Sequence, residues 1–282
     1  PALLLVRIVS LLGILSPLGA LMAPVMALAG LPGETGIVWI TGMLTNLYGG
    51  LAILAGMIVP LRLTVGQVTT LGMMLLLAHS MPVETTVAAR SGVSPLLVIP
   101  LRVVSALAAG VILRASGFVR AFRQPPTVLW KGVPQAGGWG GWLLDLAESM
   151  GTILVVIFLV LLALEILERL GFTGFLRKVL RPAFELAGNG PEDATVTVVG
   201  LVLGISYGGG LVIKAASRGD IPAGQVTSAV CFMSLCHGVV EDTALVATLG
   251  AWTPMISLGR VLFAWGVTVL VFALTPRKTP KT

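Results

Sequence analysis

The chain is 282 residues long, 56% hydrophobic and only 11% charged, with a mean hydropathy of +1.00. A soluble domain carries roughly a quarter of its residues charged, so this composition excludes a water-soluble globule and predicts an all-α polytopic membrane protein. The net charge of +6 sits mostly at the edges of apolar runs and in loops, with no basic stripe interleaved with aromatics. The bilayer is therefore the implied partner, and nucleic acid is not.

In chain order the apolar segments run 3–29, 37–60, 66–80, 83–92 and 94–115, then 146–168, 194–217, 222–237, 240–250 and 254–275. The first is too long for a signal-peptide core of about 7–15 apolar residues and reads as a first span. These segments divide the chain into a membrane unit over 1–115, a linker over 116–145, and a second membrane unit over 146–282. The linker is rich in Gly, Pro and Trp, and Trp130, Trp139 and Trp142 suit the headgroup level. Near 172–187, Phe172, Phe175, Leu176, Val179 and Leu180 fall at helical spacing with Arg177, Lys178 and Arg181 elsewhere around the helix. That pattern predicts an interfacial amphipathic helix without a counterpart in the first unit.

The two units are related in sequence. GQVTTLGMMLLLAHSMPVETTVAARSG aligns without a gap on GQVTSAVCFMSLCHGVVEDTALVATLG at an offset of 158 residues. Gln67 falls on Gln225, His79 on His237, Glu84 on Asp242, Thr85 on Thr243 and Arg102 on Arg260. Upstream, NLYGG meets SYGGG with one residue of slippage. So many polar matches in one register of an apolar chain mark an internal duplication. A helix from Gly66 to Ser80 is about 22 Å long, short of the roughly 30 Å hydrocarbon core, and it then meets Pro82. A broken or re-entrant helical hairpin is the simplest reading, with about three full spans per unit. An odd number of spans inverts the second unit; the distribution of Lys and Arg does not separate this from a parallel arrangement.

Chemistry concentrates at the two breaks. Unpaired backbone groups cost several kcal/mol each in hydrocarbon, so broken helices persist where they are buried in protein or line a wet cavity. Transporters use such discontinuities to expose helix ends to a substrate. His79, Glu84, Thr85, His237, Glu241, Asp242 and Thr243 are the candidate substrate-binding residues there. The competing reading makes Glu84 and Asp242 caps of the following helices, neutralised by Arg102 and Arg260 in buried ion pairs. Asn46, Tyr48 and Tyr207, beside the glycine runs, and the paired Gln67 and Gln225 extend the candidate path. Cys236 and His237 offer a thiolate and an imidazole to a transition metal, although a buried Cys is commonly only packing.

No GxxxxGK or HExxH motif occurs, so an enzyme is not expected, and nothing calls for a cofactor. GLPGETGIVWITGMLTNLYGGLAIL followed by the H…ET break resembles the nucleoside recognition, or Gate, family, which includes bacterial spore maturation membrane proteins. Related segments occur in concentrative nucleoside transporters and in ferrous-iron transport protein B. The resemblance covers two Gate-like repeats, roughly 30–115 and 186–275. It implies a multi-pass protein of the bacterial inner membrane that moves a small polar solute or cation, with proton coupling open to the histidines. A ferrous-iron-like permease and a non-transporting scaffold or accessory subunit are the alternatives, and a homodimer is a candidate assembly.

Overall fold

The computed structural model describes residues 15–129, 138–172, 204–219 and 221–274, together with short stretches and single residues elsewhere between 4 and 202. The described residues form helices joined by turns and loops, without strands. Helix α1 spans Leu15–Leu28, and a single 3-10 turn, Gly33–Thr35, leads into α2, Gly36–Leu44. Helix α3 is Leu47–Ile58, α4 Val65–Leu77, α5 Met81–Arg90 and α6 Pro95–Ala115. A short turn of helix, α7, Phe118–Ala121, precedes the long α8, Trp139–Arg169. Then follow α9, Ile205–Arg218, α10, Ala223–Leu235, α11, Val239–Ala247, and α12, Arg260–Leu274.

Five units are long and apolar enough to cross a membrane: Val65–Arg90, Pro95–Ala115, Trp139–Arg169, Ala223–Ala247 and Met255–Leu274. A sixth arises if Gly19–Leu28 and Gly33–Leu44, bent by 97°, count as one. Their burial sorts them by depth in the bundle. About two-thirds of the apolar stretch of Val65–Arg90 (67%) and of Ala223–Ala247 (72%) is buried, against 22% for Met255–Leu274 and none for Trp139–Arg169. The two interrupted units therefore form the centre, and α8 lies at the edge of the bundle, packing Ile153, Val156, Ile157 and Val160 on the core and turning many of its other apolar side chains outward.

The re-entrant hairpin expected at 66–92 is corrected here. Helices α4 and α5 together make one 26-residue unit, a broken span rather than a fold-back. The chain folds back one element earlier, within the segment 37–60 that sequence alone read as a single span. Helices α2 and α3 pack on each other, with Gly50 facing Gly42 so closely that an added Cβ at Gly50 lies 3.2 Å from the Gly42 Cα. Asn46 turns the corner, accepting from the Gly49 amide as the N-cap of α3. Glycines at both contact points remove the side chains that hold helix axes about 8–10 Å apart. The same close approach recurs at Gly200 and Gly208, ahead of and within α9.

The two broken spans cross in opposite directions. The start of α4 meets the end of α11: Gly72 packs on Val246, and the Trp252 amide donates to Thr69 Oγ1 at 2.8 Å. The start of α10 meets the end of α5, where Val226 and Val230 share a buried cluster with Ala88, Val93 and Val98.

Within the expected linker, Phe118 and Phe122 stack beside Trp252, and the Leu129 amide donates to the Thr248 carbonyl. Helix α8 already begins at Trp139, inside the range read as linker. Trp142 is buried and Trp139 half-exposed, both under the Arg7 guanidinium. Trp130 and most of the amphipathic segment 172–187 lie outside the described residues.

Candidate functional site

Each break is built in the same way. Helix α4 ends at Leu77, and Ser80 sits in the left-handed region at φ 49° before α5 begins with Pro82 in its first turn. Helix α10 ends at Leu235, and Gly238 takes the equivalent conformation at φ 53° before α11. A non-glycine residue in that region is uncommon and carries strain of order 1–3 kcal/mol, so its surroundings must hold it. The Ser80 amide donates to the Gly42 carbonyl at 2.9 Å, and the Gly238 amide donates to the Gly200 carbonyl at 3.3 Å. Each break thus rests on a backbone carbonyl that only a glycine-lined contact can bring this near.

Two buried arginines satisfy what the breaks leave open. Arg102 of α6 donates through Nε to the Leu77 carbonyl at 3.0 Å and places Nη1 2.7 Å from Glu84 Oε2. Arg260 of α12 donates through Nη2 to the His237 carbonyl at 2.9 Å, with Nη1 3.5 Å from Asp242 Oδ2. The cation lies at the carbonyl end of the first half-helix and the carboxylate in the first turn of the second. Both charges therefore oppose the helix dipoles that the break exposes. Both arginines follow a helix irregularity: Pro100 inside α6, and the π-turn Met255–Gly259 ahead of α12.

The histidines meet between the breaks. Their ring centroids are 5.0 Å apart, and both residues are buried. His79 Nδ1 lies 3.0 Å from the Leu75 carbonyl, and His237 Nδ1 lies 2.8 Å from the Met233 carbonyl. A carbonyl only accepts, so the proton of each neutral ring belongs on Nδ1 and each Nε2 presents a lone pair. Glu84 Oε1 stands 3.9 Å from His79 Nε2 and 3.7 Å from His237 Nε2, with no hydrogen-bond partner of its own. The result is an enclosed, electron-rich point that a cation or a donor group of a solute can fill. A small cleft reaches Glu84 from one side, lined by Ala88, Gly209, Val212, Val230 and Ser234.

Other candidates fall into place around this centre. Tyr48 of α3 donates to Glu241 Oε1 at 2.6 Å, tying the glycine hairpin to α11. Thr85 donates to the Met81 carbonyl, and buried Thr243 to the Ile256 carbonyl at 3.4 Å. Asn46 serves as a helix cap, and Gln67 closes a capping box with Thr64 at the start of α4. Twelve residues of helix put Gln67 about 18 Å from His79, and Gln225 stands equally far from His237 on α10. Cys236 is buried at the end of α10, but the His, Cys and acidic side chains that converge among the described residues are His79, Glu84 and His237. The Tyr207 side chain lies outside the described residues.

Sequence reasoning passed over Leu75 and Met233, whose carbonyls orient the imidazoles. Both lie four residues before their histidine and share the same 158-residue offset. Their side chains also fill the space over the hairpin glycines: Leu75 Cδ2 abuts Gly42 and Gly50, and Met233 Cε abuts Gly200 and Gly208.

Residues 150–253 match the family described as Gate, nucleoside recognition. The matched range takes in most of α8, all of α9 to α11, and with them His237, Glu241 and Asp242. The matched range begins earlier than the resemblance at 186–275 implied, and it does not include 30–115. His79, Glu84, Arg102 and Arg260, which complete the centre, therefore come from outside the matched residues. Over 267 residues the chain is 28% identical to the Bacillus subtilis (strain 168) uncharacterized membrane protein YvoD, covering 89% of this chain and 80% of that one. No solved structure matches it. The chain is a membrane protein with a transporter-like helical bundle.

Proposed function

We propose that the protein is a transporter for a small polar solute or cation, with its path through the centre where the two helix breaks meet. The observation that carries this reading is the convergence of His79, His237 and Glu84 from both breaks, buried at the crossing of the two most enclosed spans. Intramembrane ionisable groups and discontinuous helices at one depth are the features transporters use to hold a solute between two gates.

The reading includes two repeats of opposite orientation. Two observations favour it. The 158-residue offset pairs not only His79 with His237 but also Gly42 with Gly200, Leu75 with Met233 and Ser80 with Gly238 in equivalent contacts. The start of each broken span packs on the end of the other. If the glycine hairpins return to their own side, α6 and α8 are the two crossings between the broken spans, which run in opposite directions. Rocking one unit against the other would then open the centre alternately to either face. Residence in a bacterial cell membrane fits the Bacillus relative, which is described as a membrane protein.

The test begins with a thermal-shift screen of the detergent-purified protein against nucleosides, small organic ions and divalent cations, since a specific ligand stabilises the state it binds. The family's description puts nucleosides first in that screen. Solutes that stabilise the protein are then followed as flux into liposomes. His79→Ala and His237→Ala should each abolish flux while the protein stays monodisperse. Wild-type flux in both variants refutes the assignment.

A further inference from the structure

We infer that His79 Nε2, His237 Nε2 and Glu84 Oε1 form a three-ligand site for a borderline divalent cation of the Zn²⁺ or Co²⁺ class. The inference deepens the transport reading, since it names the chemistry that the same centre would hold.

The first support is the direction of the lone pairs. Both Nδ1 atoms are committed to backbone carbonyls, at 3.0 and 2.8 Å, which leaves both Nε2 atoms as acceptors aimed at a carboxylate oxygen. With Glu84 ionised, three acceptors face one another with no donor among them, and Glu84 Oε1 is fully buried without a partner. A metal ion satisfies all three at once. The Nδ1–H···O=C bond is also the outer-shell arrangement that fixes the tautomer and aims a metal-binding imidazole.

The second support is distance. The three ligand atoms lie within 4.8 Å of one another, and the two imidazole-to-carboxylate edges measure 3.9 and 3.7 Å. Metal bonds of about 2.0–2.2 Å at tetrahedral angles put ligand atoms about 3.4 Å apart. Closing these two edges takes a few tenths of an ångström, and the imidazole-to-imidazole edge, at most 4.8 Å, closes by up to about 1.4 Å as the rings turn toward the ion.

The third support is charge. Arg102 holds Glu84 through the other oxygen, Oε2, at 2.7 Å, so Oε1 stays free for the ion while the carboxylate plane is fixed. Arg260 is taken up by Asp242 and the His237 carbonyl. Each of these two arginines faces a carboxylate, while Arg102 Nη2 and Arg260 Nε and Nη1 are buried without a hydrogen-bond partner. Two nitrogens and one oxygen favour a borderline dication over Ca²⁺ or Mg²⁺, which prefer all-oxygen shells. Three protein ligands leave a coordination position open, as exchangeable sites do and closed structural sites do not.

The test uses the full-length protein, stripped with chelator and titrated with Co²⁺ in detergent, read by d–d absorption and by direct metal analysis. One Co²⁺ per chain is expected, displaced by Zn²⁺, with the melting temperature raised by either ion. His79→Gln, His237→Gln and Glu84→Gln should each weaken binding by at least about tenfold, with an unchanged elution profile. Cys236→Ser, outside the triad, should bind as wild type. Absence of Co²⁺ binding in the folded wild type overturns the inference, as does binding that survives all three substitutions. If His variants lose flux of another solute while wild type binds no metal, the transport reading stands and the metal site falls. If they lose the metal but keep that flux, the metal site stands and the path lies elsewhere.

Discussion

Removing Arg102 tests how the first break is held. The Arg102 and Glu84 side chains are both fully buried and 2.7 Å apart, and Arg102 is also the donor to the Leu77 carbonyl. Arg102→Met keeps most of the volume but strands a buried carboxylate and an orphaned helix-end carbonyl. Breaking one side of a buried ion pair costs about 3–5 kcal/mol. The double variant Arg102→Met/Glu84→Gln removes both charges and leaves mainly the unpaired carbonyl, a cost of about 1–3 kcal/mol. The double should therefore be more stable than the single, by about 2 kcal/mol. At roughly 2–4 °C per kcal/mol for a chain of this order of size, Arg102→Met lowers the melting midpoint by about 6–20 °C and the second substitution restores part of it. Differential scanning fluorimetry in detergent, with all four members of the cycle, measures the coupling. The Arg260/Asp242 cycle should couple less, because its contact is 3.5 Å and the Asp242 side chain is 12% exposed. An Arg102→Met protein that melts with wild type refutes the argument, and so does a double variant less stable than the single.

Gly208→Ala should destabilise more than Gly42→Ala. A Cβ at Gly208 runs into the backbone of Gly200, which cannot move aside, whereas at Gly42 it meets the flexible end of Leu75; equal melting points would contradict this. Gly238→Ala forces a left-handed residue at φ 53° and crowds the Asp242 carboxylate at 3.2 Å, so it should cost about 1–2 kcal/mol, whereas Ser80→Gly should be neutral or stabilising. Tyr48→Phe removes the 2.6 Å bond to Glu241 and should lower stability by about 1 kcal/mol while raising hydrogen exchange in α3 relative to α4, which mass spectrometry can resolve.

Much of this architecture was legible in the chain itself. Composition alone decides for membrane helices, because 11% charged residues cannot cover a surface in water. The repeated H…E break was visible because polar residues are costly in hydrocarbon and stand out in register. The match of Glu84 to Arg102 and of Asp242 to Arg260 could be read from spacing, since each arginine follows its carboxylate by eighteen residues.

The position of the fold-back could not be read in the same way. Both 37–60 and 66–92 are apolar and interrupted, and segment length pointed to the second. Tertiary packing decided for the first, because Gly42 and Gly50 permit a close helix contact between α2 and α3. Likewise, hydropathy cannot tell Gln67, a helix cap some 18 Å away, from Glu84 at the centre. The sequence determined which residues are polar inside the membrane. Only the crossing of the two broken spans decided that His79, His237 and Glu84 share one point, because that meeting depends on contacts between residues more than 150 positions apart.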